Sequence, residues 1–158
     1  MTGEYEHALD AKGRIFIPAR LRAELGEEFY VTVSMEQCLT VYPREAWEEV
    51  TRRCREMPLV KQRKMRPLFA MAARCELDGQ GRALLPQNLR QFAHLNKDVA
   101  IVGCNDHAEM WDLETWKEIN AAEVTPENIA AVLEQARSSL DKIVKTTILS
   151  QTCPCFLP

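Results

Sequence analysis

Two arginines occupy the same place in two copies of one motif. The first copy reads LDAKGRIFIPARLR from Leu9 to Arg22, and the second reads LDGQGRALLPQNLR from Leu77 to Arg90. Asp10 matches Asp78, Gly13 matches Gly81, Arg14 matches Arg82, and Pro18 matches Pro86, all at one fixed offset. An arginine held out from a rigid hairpin can fork onto guanine edges or phosphate oxygens. Lys12 adds a phosphate-directed cation in the first copy, where the second has neutral Gln80. The same pattern also describes a purely structural turn. Asp can bond its own downstream backbone, Gly tolerates positive φ, and Arg can pair with a nearby carboxylate. A structural turn would be duplicated with everything else. Asp and Gly are needed to build such a turn, however, and Arg is not.

Other chemistry is sparser. Arg52, Arg53, Arg55, Lys61, Arg63, Lys64 and Arg66 form a basic run that could line a phosphate-binding face. Its alternative is a solvated helical connector partly neutralised by Glu48, Glu49 and Glu56. Cys153-Pro-Cys155 has no second Cys or His pair at zinc-site spacing, and His7, His94 and His107 are dispersed. Cys38, Cys54, Cys75 and Cys104 stand singly and read as small buried hydrophobes. The sequence carries no phosphate loop, nucleophile elbow or paired His on a helix face. The expectation is therefore a protein that is not an enzyme, with no catalytic residue, metal, cofactor or small-molecule substrate.

Elements must position the two turns. In the first copy, Gly3 to Ala8 reads as a strand, Asp10 to Gly13 as a turn, and Ile15 to Ile17 as a short apolar strand. Pro18 opens a helix over Ala19 to Leu25, because its fixed φ suits a first helical turn. Phe29 to Ser34 and Cys38 to Tyr42 follow as strands. Pro43 then opens a helix to about Arg55, with Trp47 and Val50 on one face. The second copy repeats the order: Cys75 to Leu77, the Asp78 turn, strand Ala83 to Leu85, a helix from Pro86 to about Ala93, strands Val99 to Val102 and Ala108 to Trp111, and a helix around Thr115 to Ala121. Lys61 to Cys75 links the copies, with Leu68, Phe69, Met71 and Ala72 at roughly helical spacing. Thr125-Pro126-Glu127 starts a last helix with Thr as cap. Its apolar stripe runs through Ile129, Val132, Leu133, Ala136, Leu140, Ile143 and Val144, and Ser150 to Pro158 reads as irregular.

Size and charge bound the rest. The chain has 158 residues, 46% of them hydrophobic, which fits a packed globule. Four short strands per copy bury too little alone. The two copies are expected to interleave as a pseudo-symmetric β-barrel with one core, in an α+β fold. The polar start and the lack of a long apolar run predict a cytoplasmic protein without membrane contact. Net charge is −3, unlike most nucleic-acid-binding domains. The charge is uneven, with 15 Lys/Arg against 13 Asp/Glu in residues 1–90 and 5 against 10 in residues 91–158. Local placement must carry any phosphate contact.

The segments GEYEHALDAKGRIFIPARLR and CELDGQGRALLPQNLR, with VYPREAW, resemble the MraZ family from about Gly3 to Glu118. That resemblance implies a bacterial transcriptional regulator with two tandem SpoVT-AbrB swapped-hairpin repeats, at 3–49 and 74–118. Between them lies a basic helical connector (50–73), and a C-terminal helix and tail (119–158) follow. It further implies a ring-shaped homo-oligomer, associated with the nucleoid. Such a ring would bind direct repeats in promoter DNA upstream of the division and cell-wall gene cluster, including its own gene, most simply as a repressor. The DNA-binding set implied is Arg14, Arg82, Lys12, Asp10 and Asp78. Arginine meets DNA, Asp shapes the turn, and Gly13 and Gly81 are turn-forming. Thr2 stands where the family has an aromatic residue. The alternative function is an AbrB-like antitoxin or interaction scaffold, favoured by the apolar stripe after Thr125.

Overall fold

The computed structural model describes residues 1–151, with side chains to residue 139; Cys153, Cys155 and the rest of 152–158 lie outside the described residues, as do the side chains of Leu140, Ile143 and Val144. The chain forms two compact units, Met1–Trp116 and one beginning at Lys117. In order, the elements of the first unit are β1 (Glu4–Ala8), β2 (Arg14–Phe16), α1 (Ala19–Leu25), β3 (Glu28–Val33), β4 (Leu39–Pro43), α2 (Arg44–Glu56), α3 (Leu59–Lys64), α4 (Arg66–Ala70), β5 (Ala73–Glu76), β6 (Arg82–Leu84), α5 (Gln87–Phe92), β7 (Asp98–Cys104) and β8 (His107–Asp112). Helix α6 (Leu113–Glu123) crosses into the second unit, which continues as α7 (Pro126–Gln151).

The fold is α+β, built on antiparallel pairing. Six strands form one sheet in the order β1-β7-β8-β4-β3-β5, and β2 pairs with β6 in a separate ribbon. The sheet has free edges at β1 and β5, so among the described residues its hydrogen bonding does not close into the expected barrel. Three-residue β2 and β6 pair as strands only with each other and do not bridge those edges. The ribbon instead contributes to a core with one face of the sheet.

Strand alternation decides which residues do so. Phe29, Val31, Leu39, Val41, Val99, Ile101, Ala108 and Met110 point to the core, where Ile15, Ile17, Ala83 and Leu85 of the two ribbon segments and Leu21 and Leu89 of α1 and α5 join them. The intervening residues line the opposite sheet face. There Tyr30 stacks on Trp47 of α2 at 5.4 Å between ring centroids, and Phe69 of α4 meets Trp47 at 5.6 Å. The buried Thr32 hydroxyl donates to the Leu68 carbonyl at 2.6 Å. That bond satisfies a polar atom on an otherwise covered face.

Element boundaries follow local chemistry. Proline precedes α1, α2, α3 and α5 with φ between −53° and −60°. The connector is helical in pieces, with α3 capped at Met65 and α4 following, because Pro67 at the start of α4 supplies no backbone donor to a continuous helix. Helix α6 begins at Leu113, ahead of the expected Thr115, because Asp112 Oδ2 accepts from both the backbone N–H and the hydroxyl of Thr115. In α7 the Thr125 hydroxyl accepts from the Asn128 N–H at 3.2 Å, the cap expected there.

Candidate nucleic-acid interface

The two Asp-x-x-Gly-Arg segments fold into the same turn. Asp10 Oδ1 accepts from the backbone N–H groups of Lys12 and Arg14, each at 2.9 Å. Asp78 Oδ1 accepts from those of Gln80 and Arg82 at 2.9 and 3.0 Å. Main-chain bonds close each loop, from Gly13 N–H to the Asp10 carbonyl and from Gly81 N–H to the Asp78 carbonyl. Gly13 and Gly81 lie at φ 79° and 75°, where L side chains are disfavoured. The second carboxylate oxygen then takes the arginine. Arg14 Nε donates to Asp10 Oδ2 at 2.6 Å, and Arg82 Nε donates to Asp78 Oδ2 at 2.9 Å. One aspartate therefore fixes the turn and aims the guanidinium emerging from it.

Electrostatics follow from those bonds. The backbone N–H of Arg14, with its guanidinium and the N–H of Lys12 adding, holds the Asp10 carboxyl below the ordinary aspartate value. The backbone N–H groups of Arg82 and Gln80 and the Arg82 guanidinium do the same for Asp78. Both carboxylates stay charged at neutral pH, so each arginine is partly neutralised at Nε. Among the described residues, the terminal nitrogens of Arg14 take no hydrogen bond, whereas Arg82 Nη1 lies 3.8 Å from Asp10 Oδ2. The arginines are 31% and 27% exposed, open on one side and braced on the other.

The ribbon brings both turns to one surface. Arg14 pairs with Leu84, Ile15 with Ala83, and Phe16 with Arg82. Directly opposed residues share a face in an antiparallel ladder, so Arg14, Phe16, Arg82 and Leu84 point one way. Ile15 and Ala83 point into the core and are fully buried. A two-stranded ribbon has the width to enter a major groove. This one carries its two arginines on the outward face.

The family model described as "MraZ protein, putative antitoxin-like" matches residues 1–66 and 68–141. A "Transcriptional regulator MraZ" from Carboxydothermus hydrogenoformans is 46% identical over 132 residues, covering 81% of this chain and 92% of that one. The chain belongs to the MraZ family. A protein of the same description from a Thermoanaerobacter species is 42% identical over 138 residues, covering 85% and 96%, and one from Moorella thermoacetica is 44% identical over 119 residues, covering 73% and 83%.

In this member of the MraZ family the structure adds two arginines that sequence reasoning did not single out. A side chain on Gly13 would meet the Arg90 guanidinium at 2.7 Å, and one on Gly81 would meet that of Arg22 at 2.5 Å. Each turn is thus braced by the arginine of the other motif copy. Arg90 is itself anchored, its Nε donating to the Leu85 carbonyl at 3.0 Å. Arg22 lies over the Phe16 ring at 5.1 Å, with its Nε buried and unpartnered. The duplicated register already aligned Arg22 with Arg90, and that alignment was the available signal.

The basic run does not gather at the turns as one patch. Arg52 bonds Glu49 and Glu56, and Arg53 bonds Glu49, all on exposed α2. Those two arginines draw the Glu49 carboxyl down to about 2. Exposed i,i+3 and i,i+4 pairs of this kind solvate a helix face. Lys61, Arg63, Lys64 and Arg66 are exposed on or beside α3 and α4. No described helix is long and apolar enough to cross a membrane.

Proposed function

We propose that this chain is a sequence-specific DNA-binding transcriptional regulator that reads promoter DNA with the Arg14–Arg82 face of the β2–β6 ribbon. The observation carrying this reading is the pair of braced arginines on one outward ribbon face. The names of its relatives agree with it. Arg14 and Arg82 contact base edges or phosphates, and Lys12 adds a phosphate contact. Asp10, Asp78, Gly13 and Gly81 hold the turns. The element order β-β-α-β-β-α, run through once from Glu4 and again from Ala73, supports two tandem swapped-hairpin repeats at 3–49 and 74–118. A connector at 50–73 and a C-terminal segment at 119–158 complete that organisation.

A chain of net charge −3 offers few cations to DNA. A ring-shaped homo-oligomer answers this by presenting the turns repeatedly, so that weak contacts gain through effective concentration. Its targets are direct repeats upstream of the division and cell-wall genes, its own gene included, and its action is repression in the cytoplasm at the nucleoid. A footprint on the DNA upstream of its own gene tests this. Regularly spaced protected boxes are expected, absent with the Arg14→Ala/Arg82→Ala protein. Unspaced, sequence-independent protection would overturn it.

Helix α7 favours a second reading, as antitoxin or interaction scaffold. Ile129, Val132 and Leu133 are 48%, 62% and 65% exposed within the chain. Truncation before Thr125 separates the two readings: the scaffold role requires loss of a protein partner with DNA binding retained.

A further inference from the structure

The sheet face opposite the core gathers side chains that are scattered in sequence. Cys104 and His107 end β7 and begin β8 as directly paired residues, separated by a two-residue loop. Asn105 turns that loop at φ 69°, a conformation Asn tolerates better than most residues. Glu109 follows His107 on the same face, opposite Thr40 of β4. Thiol, imidazole and carboxylate ligand atoms of Cys104, His107 and Glu109 all lie within 4.8 Å of one another. Cys38, fully buried just before β4, lies within the same distance of Glu109 and the more exposed Glu36.

Secondary contacts suit ligation. His107 Nδ1 lies 2.7 Å from Asp106 Oδ1, and its Nε2 lies 3.8 Å from Glu109 Oε1. A carboxylate on the far nitrogen is the usual support of a metal-bound histidine. Trp111 Nε1 donates to Glu109 Oε2 at 2.9 Å, leaving Oε1 on the histidine side. His107 and Glu109 are 26% and 19% exposed, so the group is reachable yet sheltered.

We propose that Cys104, His107 and Glu109, with Cys38 as fourth ligand, bind one Zn²⁺ ion. Two sulfurs, one imidazole and one carboxylate match a borderline-soft ion and are poorly suited to Mg²⁺ or Ca²⁺. Bonds of about 2.0–2.3 Å in a tetrahedron put donors roughly 3.3–3.8 Å apart, so Cys104, His107 and Glu109 close by about an ångström, while Cys38, grouped with Glu109 but not with Cys104 or His107, must swing in by side-chain rotation. Four protein ligands make the site structural. It ties the β7–β8 hairpin to the turn between β3 and β4, and it is independent of the DNA-binding reading.

The test titrates reduced, metal-free, full-length protein with Co²⁺, followed by Zn²⁺ competition. One Co²⁺ per chain is expected, with a thiolate-to-metal charge-transfer band and tetrahedral d–d intensity, both erased by Zn²⁺. Zn²⁺ should also raise the melting temperature. Cys38→Ser should roughly halve the charge-transfer intensity, Cys104→Ser should abolish tight binding, and Asp106→Asn should weaken binding about 10- to 100-fold with the spectrum retained. Cys153→Ser/Cys155→Ser should change nothing. The proposal is overturned if folded protein gives no charge-transfer band, if the band vanishes in the tail double variant, or if Asp106→Asn and Cys104→Ser, both folded by circular dichroism, bind as the parent does.

Discussion

The Asp10 and Asp78 turns share backbone, glycine conformation and arginine clamp, yet their surroundings differ. Beside the first stands exposed Lys12, and beside the second neutral Gln80. The second also borders an open cleft of about 590 Å³ whose lining sets Glu27, Glu28, Glu76 and Asp78 against one cation, Arg22. Arg74 offsets part of that charge by pairing with Glu28 and Glu76 at 2.8 Å each. On the ribbon face, Phe16 is covered by Arg22, while its counterpart Leu84 is 58% exposed. Arg82 leans toward both aspartates, whereas Arg14 engages only its own. Identical local geometry can therefore carry unequal affinity for an anion, because the field at a guanidinium depends on neighbours supplied by other segments.

The largest expected effect comes from removing the arginines one at a time. Arg14→Ala should weaken promoter binding about 10- to 100-fold, the scale of a single bidentate pairing with a base, and Arg82→Ala should cost less. Gel shifts on folded protein measure both, and an equal or reversed order breaks the asymmetry. Next come the glycines. Gly13→Ala and Gly81→Ala force a side chain into positive φ and against an arginine of the other copy, destabilising by about 1–2 kcal/mol each. Thermal melts should find Gly13→Ala the more harmful, because Arg90 is anchored at Leu85 and Arg22 has no such bond.

The aspartates give a pH signature. Both have folded pKa values below the ordinary 3.8, so their contribution is complete above that value and is lost as pH falls through the folded value. Melting temperatures measured from neutral pH down through the acid range should fall less steeply for Asp10→Asn and Asp78→Asn than for the parent. The smallest effect should be Lys12→Gln, which lowers the slope of log K against log salt by about 0.9 for each phosphate no longer neutralised. Gln80→Lys should raise it, and the pair of variants should exchange the rank of the two turns.

Much of the site was legible in the sequence because its chemistry is local. An aspartate that bonds N–H groups two and four residues ahead, a glycine at positive φ and a proline opening the next helix all act within a few residues. The turns and α1 accordingly lie where the motifs place them. The connector was less legible. Leu68, Phe69, Met71 and Ala72 show helical spacing, but the division into α3 and α4 beside Pro67 was not read from it. Bracing of Gly13 by Arg90 and of Gly81 by Arg22 was not legible at all, since each approach joins segments far apart in sequence.

By itself, then, the sequence determined two copies of a rigid turn, each with an arginine at its exit, because turn geometry depends on short-range hydrogen bonds and φ preferences. Tertiary structure alone decided that both arginines share one ribbon face, through the pairing of Arg14 with Leu84 and of Phe16 with Arg82. It left the six-stranded sheet open at β1 and β5. It also drew Cys38 and Cys104, read singly as buried hydrophobes, to either side of Glu109. The physical reason is strand register. One pairing fixes the face of every side chain along two strands, and register is set by the whole core.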